Sequence, residues 1–500
     1  MQSVHVDRRT FIAALSAAAA ASILKSGASP AIPGIAQDPN RPEYHLLPPH
    51  NWMNDPNGPI WWKGKYHLFY QMNPHAAVWG DMNWGHAVSA DMVHWRHEAI
   101  ALSPTPGGPD SEGCFSGSAV VADGVPTFIY TGVQNAPAAQ VTLHDGGDKL
   151  RETQLLATAE DDGLMRWKKQ AAPVIAAPPA GMAVTGFRDP CPWREADAWY
   201  MAVGSGVRGQ GGCALLYRSH DLHHWDYLHP LAEGKPNGRA SANPVDTGEM
   251  WECPDFFALN GTHCLLYSTE GRVIWTTGDY DAHTHRYTAT RQGVLDHNAF
   301  YAPKSFVAPD GRRILWGWIP EKRPEAEYAA AGWAGMMSLP RVLTATPDGQ
   351  LNMTAAAEVE ALRGEAERIT VTQKSAYRST LSTLRRELAL RIAGDVAGVQ
   401  IRLLSDGKEA WKLSLDIEHE MVRYGDGFKM PAQPAGEPLV RIFLDASTVE
   451  TLIGAREAIT DRVYNLKFGA TEIEISVIGL GSAEVSHWPL EAISANRLTT

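Results

Sequence analysis

Five times along this chain a short polar motif runs into an apolar strand, a tight turn and a second apolar strand. The stretches are NDPNGPIWWKGKYHLFY from Asn54, FSGSAVVADGVPTFIY from Phe115, FRDPCPWREADAWYMAV from Phe187, WECPDFFALNGTHCLLY from Trp251 and YAPKSFVAPDGRRILWGW from Tyr301. A turn residue (Gly64, Gly124, Asp197, Gly261 or Gly311) falls eight to ten positions after each motif. Asp55, Asp189 and Glu252 stand at nearly the same offset in three of the five. A repeat that places carboxylates at equivalent positions can converge them on one axis, as a propeller does. The steps from Asp55 to Ser116, Asp189, Glu252 and Tyr301 are 61, 73, 63 and 49 residues, each enough for a four-stranded blade with its loops. The fold expected is all-β, a five-bladed propeller. A two-sheet sandwich is the alternative, but it does not explain why polar motifs recur at one place in each unit.

A chain of 500 residues exceeds what one core usually supports, so two domains are expected. The signals over residues 41–350 are all β: short apolar runs and aromatics, punctuated by Gly, Asn, Asp and Pro. A second repeat overlays the first. Ser89 to Trp95 and Ser219 to Trp225 share the pattern S-x-D-apolar-x-H-W, and Ala159 to Trp167 is a looser copy. In each, the Asp can cap the turn and the Trp can pack between sheets. Residues 351–363 read as a helical linker, because LNMTAAAEVEALR is rich in helix formers. Over 364–495 the runs ELALRI, VQIRLL, WKLSLDIE, LVRIFLD, VETLIG and EIEISVI alternate without carboxylate motifs, which predicts a β-sandwich.

Residues 1–36 read as a targeting segment. Asp7-Arg8-Arg9-Thr10-Phe11-Ile12 is a twin-arginine pattern leading into the apolar run from Phe11 to Leu24. That run is shorter than the ~20 residues that span a bilayer. Cleavage is expected after Ala31 or after Ala36, with export to the periplasm or the exterior and no membrane association afterwards. A net charge of −12 argues against nucleic acid or anionic lipid as partner and suits a neutral substrate. Five cysteines without a CxxC pair argue against zinc ribbons and thiol redox chemistry. His220, His223 and His224 fall inside the turn repeat and read as surface residues, so no metal and no organic cofactor are expected.

Trp52-Met53-Asn54-Asp55-Pro56-Asn57-Gly58, Phe187-Arg188-Asp189-Pro190 and Trp251-Glu252-Cys253-Pro254-Asp255 resemble the three signature motifs of glycoside hydrolase family 32. Phe115-Ser116-Gly117-Ser118, Phe300-Tyr301-Ala302, Gly332-Trp333-Ala334-Gly335 and Ser338-Leu339-Pro340-Arg341 add to the likeness, in the family's order. The stretch DASTVETLIG extends it into the C-terminal part. The resemblance implies a five-bladed propeller joined to a β-sandwich, and a retaining mechanism that releases β-linked fructose from sucrose, inulin, levan or their oligosaccharides.

It further implies Asp55 as nucleophile, Glu252 as general acid/base and Asp189 as stabiliser of the transition state. Retaining chemistry would set the carboxyls of Asp55 and Glu252 ~5–5.5 Å apart. Pro56 biases Asp55 toward an extended backbone. An acid such as Glu252 must hold a proton and then give it up, which neighbouring carboxylates and burial favour; Trp251, Phe256 and Phe257 could wall it. Arg188 beside Asp189 suggests a carboxylate kept ionised by its neighbour. Trp52, Asn54, Gln71, Trp79, Ser116, Arg188 and Tyr301 are the expected partners of the sugar. The loops around Trp79 and from Glu270 to Asp281 are expected to set substrate preference. An arabinan-cleaving enzyme, a fructosyltransferase and a non-catalytic carbohydrate binder remain alternatives on the same scaffold.

Overall fold

In the computed structural model, which describes residues 34–494, the strands gather into seven sheets. The first five follow the five repeats. Their opening strands are Asn51–Trp62, Gly113–Ala122, Val184–Glu195, Glu252–Leu259 and Tyr301–Val307. Each pairs antiparallel with the strand after it. Tight turns explain the pairing. Asp123-Gly124 has φ of 50° and 79°, and Asn260-Gly261 has 48° and 89°. Two successive positive φ values make the turn whose twist matches a hairpin. The third and fourth strands add outward, and the outer edges of the first two sheets are short, at Trp95–His97 and Trp167–Lys169.

The five opening strands pack on one another in sequence, and the fifth returns to the first. Trp333–Ala334 closes this circuit by pairing in parallel with Asn51–Trp52. Gly335 permits the approach: its φ is 77°, and a Cβ there would stand 1.9 Å from the carbonyl oxygen of Met53. The turn repeat recurs three times, between the third and fourth strands of the first three sheets. Asp91, Asp161 and Asp221 each accept backbone N–H groups of their own turn. Trp95, Trp167 and Trp225 each donate Nε1–H to the carbonyl three residues back. His220, His223 and His224 are exposed.

The remaining two sheets have six strands each. One includes Arg385–Ala393, Val440–Asp445 and Thr448–Ile453; the other includes Val396–Ser405, Lys408–Asp416 and Thr471–Gly479. They share one apolar cluster, with Leu388, Leu390 and Ile442 from the first facing Val399, Ile401 and Ile475 from the second. In the second sheet period-two alternation leaves one face wet, whereas Val440–Asp445 and Thr448–Ile453 of the first are buried almost throughout, with Phe443 and Leu452 packed beside Phe300, Leu315 and Leu343.

Two local expectations are corrected. Residues 351–363 are not one helix: Leu351–Ala355 is a strand paired with Arg341–Ala345, and only Ala357–Leu362 forms a short 3-10 turn. Leu351, Met353 and Ala355 are buried on alternate positions, and this alternation outweighs helix propensity. The α-helix of the chain's middle part lies instead at Glu325–Ala331, ended by Gly332 in the left-handed conformation. The stretch from Glu270 to Asp281 is mostly strand, Arg272–Asp281, leaving Glu270-Gly271 as a tight turn.

Of the expected targeting segment, residues 1–33 lie outside the described residues. Ile35–Gln37 forms a 3-10 turn, and Ile35 is buried beside Leu47, Ile319 and Trp333. Among the described residues no helix is long and apolar enough to cross a membrane.

A buried ionic chain ties the two groups of sheets together. Asp445 accepts the backbone N–H groups of Glu43, Tyr44 and His45. The His45 ring bridges Asp445 at 2.8 Å and Glu450 at 2.9 Å. Glu450 also takes Arg341 at 2.5 Å, and Arg341 reaches Asp296 at 3.0 Å. Burial disfavours the imidazolium, but the two carboxylates more than reverse this and raise His45 to about 9. Burial opposes ionisation of Glu450, and Arg341 with His45 overcomes it, lowering Glu450 to about 2.

These shifts fix a stability window. The His45 contribution is complete below its unfolded value near 6.5 and is lost as pH rises through about 9. The Glu450 contribution is complete above about 4.5 and is lost as pH falls through about 2. The melting temperature is therefore expected to fall between pH 6.5 and 9.5, by stabilisation on the order of 3 kcal/mol at the His45 link. Thermal unfolding of wild type and His45→Gln across that range checks this: the variant should be less stable at pH 6 and lack the slope. Parallel curves for the two proteins would exclude the ionic chain as its source.

Candidate active site

The five motifs are five breaks in strand register. The pairing of each opening strand with its neighbour shifts between Met53 and Pro56, Phe115 and Gly117, Arg188 and Cys191, Glu252 and Asp255, and Tyr301 and Lys304. A bulge leaves residues unpaired and re-aims their side chains. Asp55, Ser116 and Asp189 sit within the bulges; Glu252 and Tyr301 immediately precede them. Asp189, Cys253 and Ala302 take φ of 65°, 49° and 49°. Left-handed backbone costs a non-glycine residue about 1–3 kcal/mol, and such cost gathers where side-chain placement matters. Proline sits within the bulge in three strands (Pro190, Pro254, Pro303), where no ladder N–H is needed, and ends it in a fourth (Pro56).

The bulges bring the three acids together. Asp55 receives Ser116 Oγ–H at 2.6 Å and Asn54 Nδ2–H at 3.0 Å. Trp52 Nε1–H holds Asn54 in turn, at 2.7 Å from Oδ1. Trp52 packs against Trp318 and against Tyr328 of the Glu325–Ala331 helix. Asp189 accepts the N–H of Cys253 at 2.8 Å, and its own N–H goes to Thr131 Oγ1 at 2.9 Å. The Cys253 thiol lies 3.5 Å from an oxygen of Asp55 and 3.5 Å from an oxygen of Asp189. Glu252 accepts Arg188 Nη2–H at 2.9 Å on Oε1 and Tyr301 O–H at 2.7 Å on Oε2.

Of the other expected sugar partners, Gln71 is buried and donates Nε2–H to the carbonyl of Cys114 at 3.3 Å. Trp79 is 40% exposed, on a loop pinned by Asn73, and stands edge-on to Phe115 at 5.9 Å. Trp251 and Phe256 lie in the core between sheets, Trp251 stacked on Tyr267 at 3.7 Å. Asp255 binds Ser305 across to the fifth sheet. Among the described residues no group of three or more His, Cys, Asp or Glu is placed to hold a metal ion. All five cysteines are free and buried.

Burial sets the electrostatics. It raises Asp55, while Ser116 and Asn54 oppose the rise by bonding to the ionised form. It raises Asp189 to about 7 despite the nearby Arg188, with the charges of Glu252 and Asp55 adding to the rise. The expectation that Arg188 keeps Asp189 ionised is thus corrected. Arg188 does favour the charge of Asp189, but burial wins, because the guanidinium spends its bonds on Glu152 at 2.8 Å and on Glu252. Glu152, Thr131 and Cys253 were not among the expected site residues. Cys253 stood inside a quoted motif; Glu152 and Thr131 lie in strands that no polar motif marks.

Two buried carboxylates and a half-buried one, Asp55, brought together by the bulges of a ring of β-sheets fit a glycoside hydrolase, whose reaction needs paired acids in unequal protonation states. Comparison with known proteins narrows the class. Residues 45–355 match the model of the glycosyl hydrolases family 32 N-terminal domain. Sucrose-6-phosphate hydrolase of Escherichia coli is 38% identical over 457 residues, 85% of this chain and 89% of that protein. The cell-wall β-fructofuranosidase isozyme of Zea mays is 38% identical over 380 residues, 69% of this chain and 60% of that protein. Among solved structures, a Bombyx mori family 32 β-fructofuranosidase superposes with a TM-score of 0.76 at 29% identity, covering 91% of this chain and 95% of that one. Fructan 1-exohydrolase IIa of Cichorium intybus, in complex with 1-kestose, does so with 0.77 at 26% identity, covering 91% and 98%. The chain belongs to glycoside hydrolase family 32.

The raised Asp189 has a stability consequence. A carboxyl whose folded value lies above its unfolded one contributes stability at low pH that is lost as pH rises, here through about 7. Asp189→Asn keeps an acceptor for the Cys253 N–H and removes the charge. Its melting temperature should equal or trail wild type at pH 5 and exceed it at pH 8. Scanning calorimetry at both values decides; a variant less stable than wild type at pH 8 would show that Asp189 serves the fold as an ionised group.

Proposed function

We propose that this chain is a retaining β-fructofuranosidase, releasing fructose from sucrose, levan, inulin or their oligosaccharides through a covalent fructosyl-aspartate. The observation that carries the reading is the pairing of two unlike acids. Asp55 has its charge supported by two donors, and Glu252 is held between Arg188 and Tyr301. In the first step an Asp55 oxygen forms a bond to the anomeric carbon as the glycosidic bond breaks, and Glu252 passes its proton to the leaving oxygen. In the second, Glu252 takes a proton from water, the water oxygen bonds to the anomeric carbon, and the bond to Asp55 breaks. Fructose leaves and both acids return to their starting states.

Asp189 binds fructosyl hydroxyls and stabilises positive charge as it develops. Trp52, Asn54, Gln71, Trp79, Ser116, Arg188 and Tyr301 line the sugar site, with Trp79 as the exposed stacking surface. The names of the E. coli and maize relatives and the kestose complex of the chicory enzyme support a fructose-containing substrate. The five sheets, which run from Asn51 to Ala355, make a five-bladed catalytic propeller, supported by the closed circuit of opening strands, and 364–495 makes a β-sandwich. The leader directs export by the twin-arginine route. The burial of Ile35 favours cleavage after Ala31 over cleavage after Ala36, which would remove that side chain from its cluster.

Glu252→Gln can neither give nor take the proton, so kcat on sucrose, inulin and levan should fall by roughly 10²–10⁴. A substrate with a good leaving group should recover the first step only. Rapid NMR of the wild-type reaction should show β-fructofuranose before mutarotation. Initial α-product, or near-normal turnover by Glu252→Gln, would sink the mechanism. For export, Arg8→Lys with Arg9→Lys should leave the precursor in the cytoplasm, and N-terminal sequencing of the exported protein should begin at Ile32. A first residue of Gln37 would overturn the cleavage site, and unchanged export would overturn the route.

A further inference from the structure

Glu152 lies in the third strand of the second sheet, Leu150–Ala159, and is fully buried. Its Oε1 accepts Arg188 Nη1–H at 2.8 Å, and its Oε2 accepts the backbone N–H of Phe187 at 2.6 Å and Thr142 Oγ–H at 3.2 Å. Two of these three side-chain bonds thus go to the Phe187-Arg188 segment, and Thr142 fixes the carboxylate from the other side. The other edge of the Arg188 fork, Nε and Nη2, goes to Glu252 Oε1 at 3.3 and 2.9 Å. One guanidinium is therefore shared between a carboxylate that substrate cannot reach and one that the reaction must protonate and deprotonate.

We propose that Glu152 is a positioning residue for the hydrolysis: it shares the charge of Arg188, so that the guanidinium orients Glu252 without holding it ionised. The inference rests on the reading of Glu252 as the proton donor. An arginine bonded to a single buried carboxylate favours the charged form of that carboxylate strongly. A second carboxylate on the same guanidinium offsets its charge and repels a charge on the first. Burial opposes the guanidinium, but Glu152 first, then Glu252 and Asp189, raise Arg188 above its ordinary value, so Arg188 stays charged throughout.

The other groups around Glu252 do not replace Glu152. Asp55 and Asp189 approach from the first and third sheets. Tyr301 donates from the fifth sheet. Lys304, also from the fifth, spends its ammonium on the carbonyl of Pro254 at 3.0 Å. Cys253 on the strand of Glu252 is a buried thiol whose value burial raises further, so it stays neutral.

The test is kcat/KM on sucrose against pH for wild type, Glu152→Gln and Glu152→Asp. Glu152→Gln keeps size and an acceptor but removes the charge. The alkaline limb of its profile should move to lower pH by about one unit, since one unit is the scale of a single lost charge partner. Near neutral pH that is roughly a tenfold loss, with less loss on an aryl fructoside whose leaving group needs no proton. Glu152→Asp keeps the charge one methylene further back and should show the same displacement, smaller.

If Glu152→Gln does not fold, Glu152→Asp carries the test. An alkaline limb at the wild-type position in whichever variants fold, with only a lower melting temperature, would make Glu152 a structural residue and overturn the proposal. The two readings fail separately. Glu252→Gln with normal turnover removes the proton donor itself. Glu252→Gln without turnover, together with an unmoved limb in the Glu152 variants, removes only the role of Glu152.

Discussion

Carboxylates gathered away from water repel one another, and the guanidinium of Arg188 is what opposes that repulsion here. It reaches Glu152 on one side and Glu252 on the other. Its planar fork allows this: two edges, each with two donors, bind two carboxylates in fixed relative orientation, which a lysine ammonium cannot do. Asp189 lacks such a bond, and burial lifts its proton affinity far above that of an exposed aspartate. Asp55 stands between these cases, served by hydroxyl and amide donors rather than by a cation. Three acids in one cleft are thus placed in three electrostatic settings by one arginine and by who its neighbours are.

The backbone does the rest. Each opening strand gives up its pairing where its motif stands, and the ring is locked there by other means: Gly335 passing close to Met53, Cys253 N–H on Asp189, Thr131 on the N–H of Asp189. The side chains that hold the bulges also hold the acids. A destabilised strand interior is the general cost of aiming side chains into a cleft, and it is met by contacts between sheets rather than within them.

Much of this was legible in the sequence because bulges need special residues. Proline, glycine and short polar side chains recur where register breaks, so NDPNG, FSGS, FRDP, ECPD and YAP mark the rim even before any likeness to a family is noticed. The sheets were legible for a similar reason, since Asp-Gly and Asn-Gly turns punctuate them. What could not be read was anything decided by direction in space. Arg188 precedes Asp189 in the chain yet serves Glu252. Glu152 sits in RETQLLATA, a strand without any distinguishing mark, and becomes important only through what lies opposite. Leu351 to Arg363 shows the limit of propensity: the good helix formers Leu351, Met353 and Ala355 are the alternately buried positions of a strand paired with Arg341–Ala345.

The strap from Glu43 to His45 is bonded to Asp445, 401 residues away from Tyr44. The first strand of the ring finds its parallel partner only at Trp333–Ala334. Both ends of the catalytic ring therefore wait on sequence made much later, and contacts of such separation form slowly. A ribosome-bound chain that has completed four sheets has made the opening strands that carry Asp55, Asp189 and Glu252, yet lacks the fifth sheet and Trp333–Ala334 that close the ring. The order of synthesis makes the C-terminal sheets a latch: the ring can close once Trp333–Ala334 exists, but the strap before its first strand is held only when Asp445 has been made.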